Sequence, residues 1–148
     1  MGSFDALVGR IRAWLGAFYG RRRSGDAGRA SRAGRIALGR TGERVAARHL
    51  RRSGYRLLAR NFRAAGAEID LIAAEGETIV FVEVKTRLGT GAGRPEEAVD
   101  DRKQQRIYRA AEIYLSRHRA HERPIRFDIV AITGRGLGRR VELFRGAF

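Results

Sequence analysis

Asp70, Glu83 and Lys85 are the residues of this sequence whose types and spacing could do chemistry together. Glu83 and Lys85 lie two apart in VFVEVKT (residues 80–86), interleaved with valines at 80, 82 and 84 that alternate as a strand buried on one face does. The flanking segment EIDLIAAEGETIVFVEVKTR predicts a β-hairpin over 68–87 with a two-residue turn at Gly76–Glu77, so that Glu75 pairs with Thr78. Counting back along both strands puts Asp70 opposite Glu83, and the period of two puts Lys85 on the side of Glu83 and the valines on the other.

Two facing carboxylates repel, and buried charges need partners. A divalent cation resolves the conflict, because Mg²⁺ or Mn²⁺ takes one or two carboxylates and completes its shell with water and phosphate oxygens. Such an ion lowers the pKa of bound water and neutralises charge developing on a phosphate, which is the chemistry of phosphodiester hydrolysis. Lys85 fits beside it as a group that braces a phosphate or positions the attacking water. The choice of lysine is informative in a chain with 29 arginines and only two lysines, since lysine alone of the two can lose its proton. The other lysine, Lys103, falls one helical turn from both Val99 and Ile107, on an inward face. Glu43 falls on a helix side otherwise made of Ala46, Ala47 and Leu50. Both could point over the sheet at the Asp70–Glu83 pair, Glu43 as a further metal or water ligand and Lys103 as a phosphate contact.

Taken singly, each residue has an ordinary reading. A Glu–Lys pair on a strand is usually a solvated face worth little, Asp70 could end a strand, and Lys103 could lay its stem along apolar surface. The conjunction of register, facing carboxylates, both lysines and a basic chain favours the site.

The composition agrees. The 148 residues carry a formal charge of +15, which calls for a polyanionic partner, nucleic acid before a membrane surface. A hydrophobic content of 43% suffices for one real core. The absence of cysteine excludes disulfides, thiolate metal sites and cysteine nucleophiles. There is no run of membrane-spanning length and no secretory signal, so the expected compartment is the cytoplasm.

Residues 4–19 place Phe4, Leu7, Val8, Ile11, Trp14, Leu15 and Phe18 on one helical face, and 21–35 read as a linker rich in Gly, Ser and Arg. The expected division is therefore an appendage over 1–35 and a domain over 36–148. Residues 4–23 could meet a membrane surface or a protein, or dock on their own domain. The domain begins with a helix over 40–54, whose opposite face carries Arg44, Arg48, Arg51 and Arg52. A strand over 55–62, the hairpin, a glycine-rich loop over 87–94 and a helix starting at Pro95 follow. That helix turns Val99, Ile107, Ala110 and Tyr114 inward, and strands over 125–132 and 141–144 complete an order α-β-β-β-α-β-β. The helical crossover between the third and fourth strands favours a parallel pair, hence an α/β fold with a mixed sheet flanked by helices.

With Asp70, Glu83 and Lys85 in this register behind the acidic helix, the chain resembles the PD-(D/E)xK, or restriction-endonuclease-like, nuclease superfamily. Within it the chain resembles the YraN-type uncharacterised bacterial proteins, akin to archaeal Holliday-junction resolvases. The resemblance runs in order from about residue 36 to 148 through GxxGExxA (39–46), NFR (61–63), EIDLIA (68–73), VFVEVKTR (80–87), PEEAV (95–99), Lys103, YL (114–115), RFD (126–128) and the closing AF. It implies that Asp70 and Glu83 are metal ligands, Lys85 the catalytic lysine, Glu43 the helix carboxylate near the metal and Lys103 the basic residue of the following helix. It also implies Mg²⁺ or Mn²⁺ as cofactor, DNA as substrate, branched DNA by analogy, and a homodimer. The chain departs from the pattern at Ile69, where the superfamily has proline, and at Ala67, where the family usually has the glycine found here at 66.

Arg87 and Arg94 flank the glycine-rich loop as candidate phosphate contacts. Asp128 reads as structural, a partner for an arginine or a backbone amide. His49, His118 and His121 are too scattered for a zinc site. A non-catalytic nucleic-acid-binding or adaptor module with the same fold is the alternative to a nuclease.

Overall fold

The computed structural model describes the backbone of residues 32–87 and 101–147, and side chains over 38–87 and 103–147. The segment 4–19, the linker up to residue 31, the glycine-rich loop from residue 88 on (Arg94 included), Pro95 and Val99 lie outside the described residues.

Helix α1 spans Arg32–Arg52, starting eight residues before the helix expected at Arg40 and inside the stretch read as linker. Arginine and alanine are strong helix formers, and isolated glycines weaken a helix by about 1 kcal/mol each without ending it. Its end is the expected one: Gly54 has φ +89°, the amide of Tyr55 bonds the carbonyl of Leu50 at 3.0 Å, and the amide of Gly54 bonds that of Arg51 at 3.2 Å. This pair of bonds around a left-handed glycine satisfies carbonyls that the helix leaves open.

Strands β1 (Arg56–Ala64), β2 (Ala67–Glu75) and β3 (Thr78–Arg87) form an antiparallel meander. Helix α2 (Asp101–Arg117) then crosses to β4 (Ile125–Thr133), which pairs in parallel with β3, and β5 (Arg140–Phe144) adds antiparallel to β4. The sheet order is therefore the chain order, β1-β2-β3-β4-β5. The expected turn is present, with Glu75 paired to Thr78. The β1–β2 turn places Ala65 (φ +51°) and Gly66 (φ +71°) at its centre, so the glycine conformation lies in the turn and Ala67 enters the ladder opposite Ala64.

Two apolar layers result. Ala46, Ala47 and Leu50 of α1 pack on Leu71, Ala73, Val80, Val82, Val130 and Ile132, so the valines of β3 face α1 as their alternation requires. Ile107, Ala110 and Tyr114 of α2 pack on Ile69, Ile72, Ile79, Phe81 and Phe127 across the sheet. In that layer the Tyr114 ring meets Phe62 and Phe81 edge-on at 5.3 and 6.0 Å. No helix among the described residues is long and apolar enough to cross a membrane.

Candidate active site

The β2–β3 ladder runs regularly from Glu75↔Thr78 to Leu71↔Val82. Asp70 and Glu83 come next in register, and here β2 changes character. Ile69 and Ile72, three residues apart, pack in the same layer, which strict alternation forbids. The strand therefore turns about its axis at Asp70. The carboxylate, in place of a backbone carbonyl, takes the next amide of β3: Val84 N–H donates to Asp70 Oδ2 at 2.7 Å. The sheet opens at this point, and the expected facing pair sits in the opening.

Glu83 is 7% exposed and paired with both lysines. Lys85 Nζ lies 3.0 Å from Glu83 Oε1, and Lys103 Nζ hydrogen-bonds the same oxygen. The two lysines of the chain are thus gathered on one carboxylate. Burial disfavours the charged form of Lys103, but the charge and hydrogen bond of Glu83 outweigh it and leave the ammonium pKa raised.

Glu43 and Lys103 reach the pair from opposite faces of the sheet, not together over one face. A cavity of about 320 Å³ on the α1 side is lined by Leu38, Gly39, Glu43, Asp70, Glu83, Val84 and Thr86. Another of about 460 Å³ on the α2 side is lined by Asp70, Glu83, Lys103 and Arg106 with the β1–β2 turn. Asp70 and Glu83 border both because the strands part between them. Arg106 was missed by the sequence reading, although its place one turn beyond Lys103 offered a signal. Arg87 continues the face of Glu83 and Lys85 by alternation, at the ladder position of Thr133, and lines neither cavity.

The close seat of α1 depends on Gly42. A Cβ built there would stand 2.0 Å from Thr86 Oγ1 and 3.1 Å from Thr86 Cβ. Gly42→Ala gains helix propensity worth about 1 kcal/mol, but the overlap falls on a stiff β-branched side chain next to Lys85. A net destabilisation of about 1–3 kcal/mol is expected from overpacking, measured by urea unfolding. Thr86→Ala in the same chain should recover most of it, and no recovery would place the strain elsewhere.

Burial, and then the charge of Glu83, push the Asp70 carboxyl up to about 7; the Val84 amide opposes this, Glu43 adds to it and Lys103 reduces it. The lysines compensate Glu83 and leave Asp70 short of positive charge. Among the described residues no group of three or more acidic or histidine side chains is gathered to hold a metal ion. The donor set still fits a hard cation, since Mg²⁺ needs only one or two carboxylates and takes its other ligands from water and phosphate. Asp70 and Glu83 would hold it, with Glu43 beside them on the α1 side.

The raised pKa has a consequence for stability. Between the ordinary value of 3.8 and the folded value of about 7, the native state keeps a proton that the unfolded chain has released. Stability attributable to Asp70 is thus present below pH 4, falls as pH rises through this window and is lost above it, by up to about 4 kcal/mol. In metal-free buffer the Tm should fall from pH 5 to pH 8, and Asp70→Asn should flatten that slope. An unchanged slope in the variant would assign it to other groups.

Asp128 lies apart from the site. Fully buried, it accepts Arg126 Nε at 2.8 Å, Arg126 Nη2 at 2.9 Å and the Gly146 amide at 2.9 Å, both of the partner types expected from sequence. His118 stacks on Tyr114 and bonds its carbonyl, while His121 lies 3.9 Å from Glu112, so neither approaches the carboxylate pair.

A family model described as "Uncharacterised protein family UPF0102" matches residues 42–132, more than half of the chain and all of Glu43, Asp70, Glu83, Lys85 and Lys103. A UPF0102 protein of Syntrophotalea carbinolica is 46% identical over 114 residues, covering 77% of this chain and 93% of that relative. UPF0102 proteins of Rhodococcus opacus (48% identical over 114 residues; 76% and 97% covered) and Stutzerimonas stutzeri (45% over 111 residues; 74% and 92%) are also similar.

Proposed function

The chain belongs to the UPF0102 family, and we propose that it is a metal-dependent endonuclease of the PD-(D/E)xK type that hydrolyses DNA phosphodiester bonds. The observation that carries this reading is the Asp70–Glu83 pair, set where the sheet opens, reached from both faces and joined by Lys85 at 3.0 Å from Glu83. A divalent cation held there would activate water and neutralise charge developing on the scissile phosphate. Asp70 and Glu83 would supply its anionic ligands. Lys85, held by Glu83, stabilises charge on the phosphate and orients the attacking water. Lys103 and Arg106 hold phosphate oxygens on the α2 side, giving backbone contacts without sequence reading. A carboxylate pair bordered by a cavity on each face suits an internal bond of a continuous strand, and the preference for branched DNA rests on analogy with junction resolvases.

The engagement of Glu83 Oε1 by both lysines favours a second reading, a non-catalytic nucleic-acid-binding module. One assay separates them: cleavage of linear, flapped, forked and four-way DNA with Mg²⁺ or Mn²⁺. Cation-dependent cutting supports the nuclease. Salt-sensitive binding of every substrate with no cutting supports the module and overturns the first reading.

A further inference from the structure

We propose that Asn61 is a positioning residue that holds the Glu43 carboxylate beside Asp70 while leaving its negative charge intact; the proposal rests on the metal-site reading above. Asn61 lies within β1, yet its backbone is left-handed, with φ +48°. Its neighbours Arg60 and Phe62 pair with Leu71 and Ile69, so Asn61 stands across from Asp70 in the adjoining strand. Both strands change face at this line. Ala59 and Phe62 pack in one layer three residues apart, as Ile69 and Ile72 do. From this position Asn61 Nδ2 donates to Glu43 Oε2 at 2.8 Å, joining β1 to α1 at the cavity that Glu43 and Asp70 share.

The residue type carries the inference. Arginine and lysine side chains hold other acidic groups of the described residues: Arg63 bonds Glu68, Arg126 and Arg145 bond Glu75, Lys103 bonds Glu83 and Arg126 bonds Asp128, with the Tyr55 hydroxyl as a neutral further partner of Glu75. In a chain with 29 arginines, an arginine would be the ordinary partner for Glu43 as well. It would also cancel the charge. An amide fixes the carboxylate and spends none of its charge, which is the requirement for a group that supplements a two-carboxylate cation site. The left-handed backbone narrows the choice further, since asparagine is among the few side chains that adopt it readily.

The alternative is that Asn61 merely tolerates a strand irregularity. Titration calorimetry with MnCl₂ on the full-length chain distinguishes the two, using wild type, Asn61→Gly, Glu43→Gln and the double variant. Glycine accepts φ +48° without strain, so Asn61→Gly removes the amide and keeps the backbone. Mn²⁺ affinity should fall about 10- to 100-fold in Asn61→Gly, with an unchanged or higher Tm. It should fall comparably in Glu43→Gln, and no further in the double variant. Wild-type affinity in Asn61→Gly alongside weakened Glu43→Gln would overturn the positioning role and leave the metal site standing. Weakening in Asn61→Gly without weakening in Glu43→Gln would also overturn it, because the effect would not pass through Glu43. A wild-type chain that takes up no Mn²⁺ would overturn both the proposal and the site reading.

Discussion

Asp70→Asn is expected to bind DNA at least as tightly as the wild type and to cleave it on the order of a thousand-fold more slowly. The asparagine oxygen can still accept the Val84 amide that Asp70 Oδ2 now takes at 2.7 Å, so the opening of the hairpin is preserved. What disappears is one of the two anionic ligands proposed for the cation, together with its repulsion of Glu83. The variant should accordingly unfold at a higher temperature than the wild type at pH 8, because the carboxyl that burial and Glu83 push up to about 7 no longer has to ionise. Greater stability with lost turnover marks a group kept for chemistry at the expense of the fold. Lys85→Ala should lose about a hundred- to a thousand-fold in single-turnover cleavage. Lys85→Arg should recover little of it, since a wide guanidinium fork replaces a compact ammonium 3.0 Å from Glu83. Undiminished cleavage by purified Asp70→Asn would mean that the activity resides elsewhere.

The largest stability loss is expected at a residue with no part in that chemistry. Asp128→Ala should cost about 3–5 kcal/mol, read as a lower urea midpoint at constant slope. Asp128 is fully buried and receives both arms of Arg126, whose guanidinium also meets Glu75 Oε2 at 2.8 Å and the Tyr55 hydroxyl at 2.9 Å. The hydrogen bond to Asp128 is the main reason the Arg126 pKa is raised further. Through the Gly146 amide, Asp128 also ties down the C-terminal segment, where the Ala147 amide bonds the Phe127 carbonyl at 2.7 Å. Removing the carboxylate leaves the Gly146 amide without its acceptor and the half-buried Arg126 guanidinium with Glu75 as its remaining counter-charge. Mn²⁺ affinity of the folded variant should match the wild type. A loss of affinity at unchanged stability would move Asp128 into the site.

These outcomes separate residues that looked alike in one dimension. Asp70 and Asp128 are both aspartates within apolar strands, and local context tells them apart: one falls opposite a glutamate in a hairpin, the other in an apolar run where it reads as a structural partner for an arginine or a backbone amide. The placement of Asp70 rests on the period of two along a strand, which is a property of the chain alone. The turn at Gly76–Glu77, the α1 and α2 inner faces, and the parallel β3–β4 pair that a helical crossover favours are likewise legible from local pattern. The helix start at Arg32 was illegible for a local reason, since an Arg-, Ala- and Gly-rich stretch satisfies both linker and helix patterns until packing chooses.

The sequence by itself determined the register that brings Asp70 toward Glu83, the face on which Lys85 and Lys103 meet, and the family to which the chain belongs. Only the tertiary structure decided that β2 turns away from β3 at Asp70, so that α1 delivers Glu43 and α2 delivers Lys103 from opposite faces. It alone gave Asn61 its left-handed backbone and its bond to Glu43. The physical reason is that alternation and helical period are repeated locally at every residue. The place where a strand breaks alternation is instead fixed by two helices pressing on the sheet from both sides, through contacts between residues far apart in the chain.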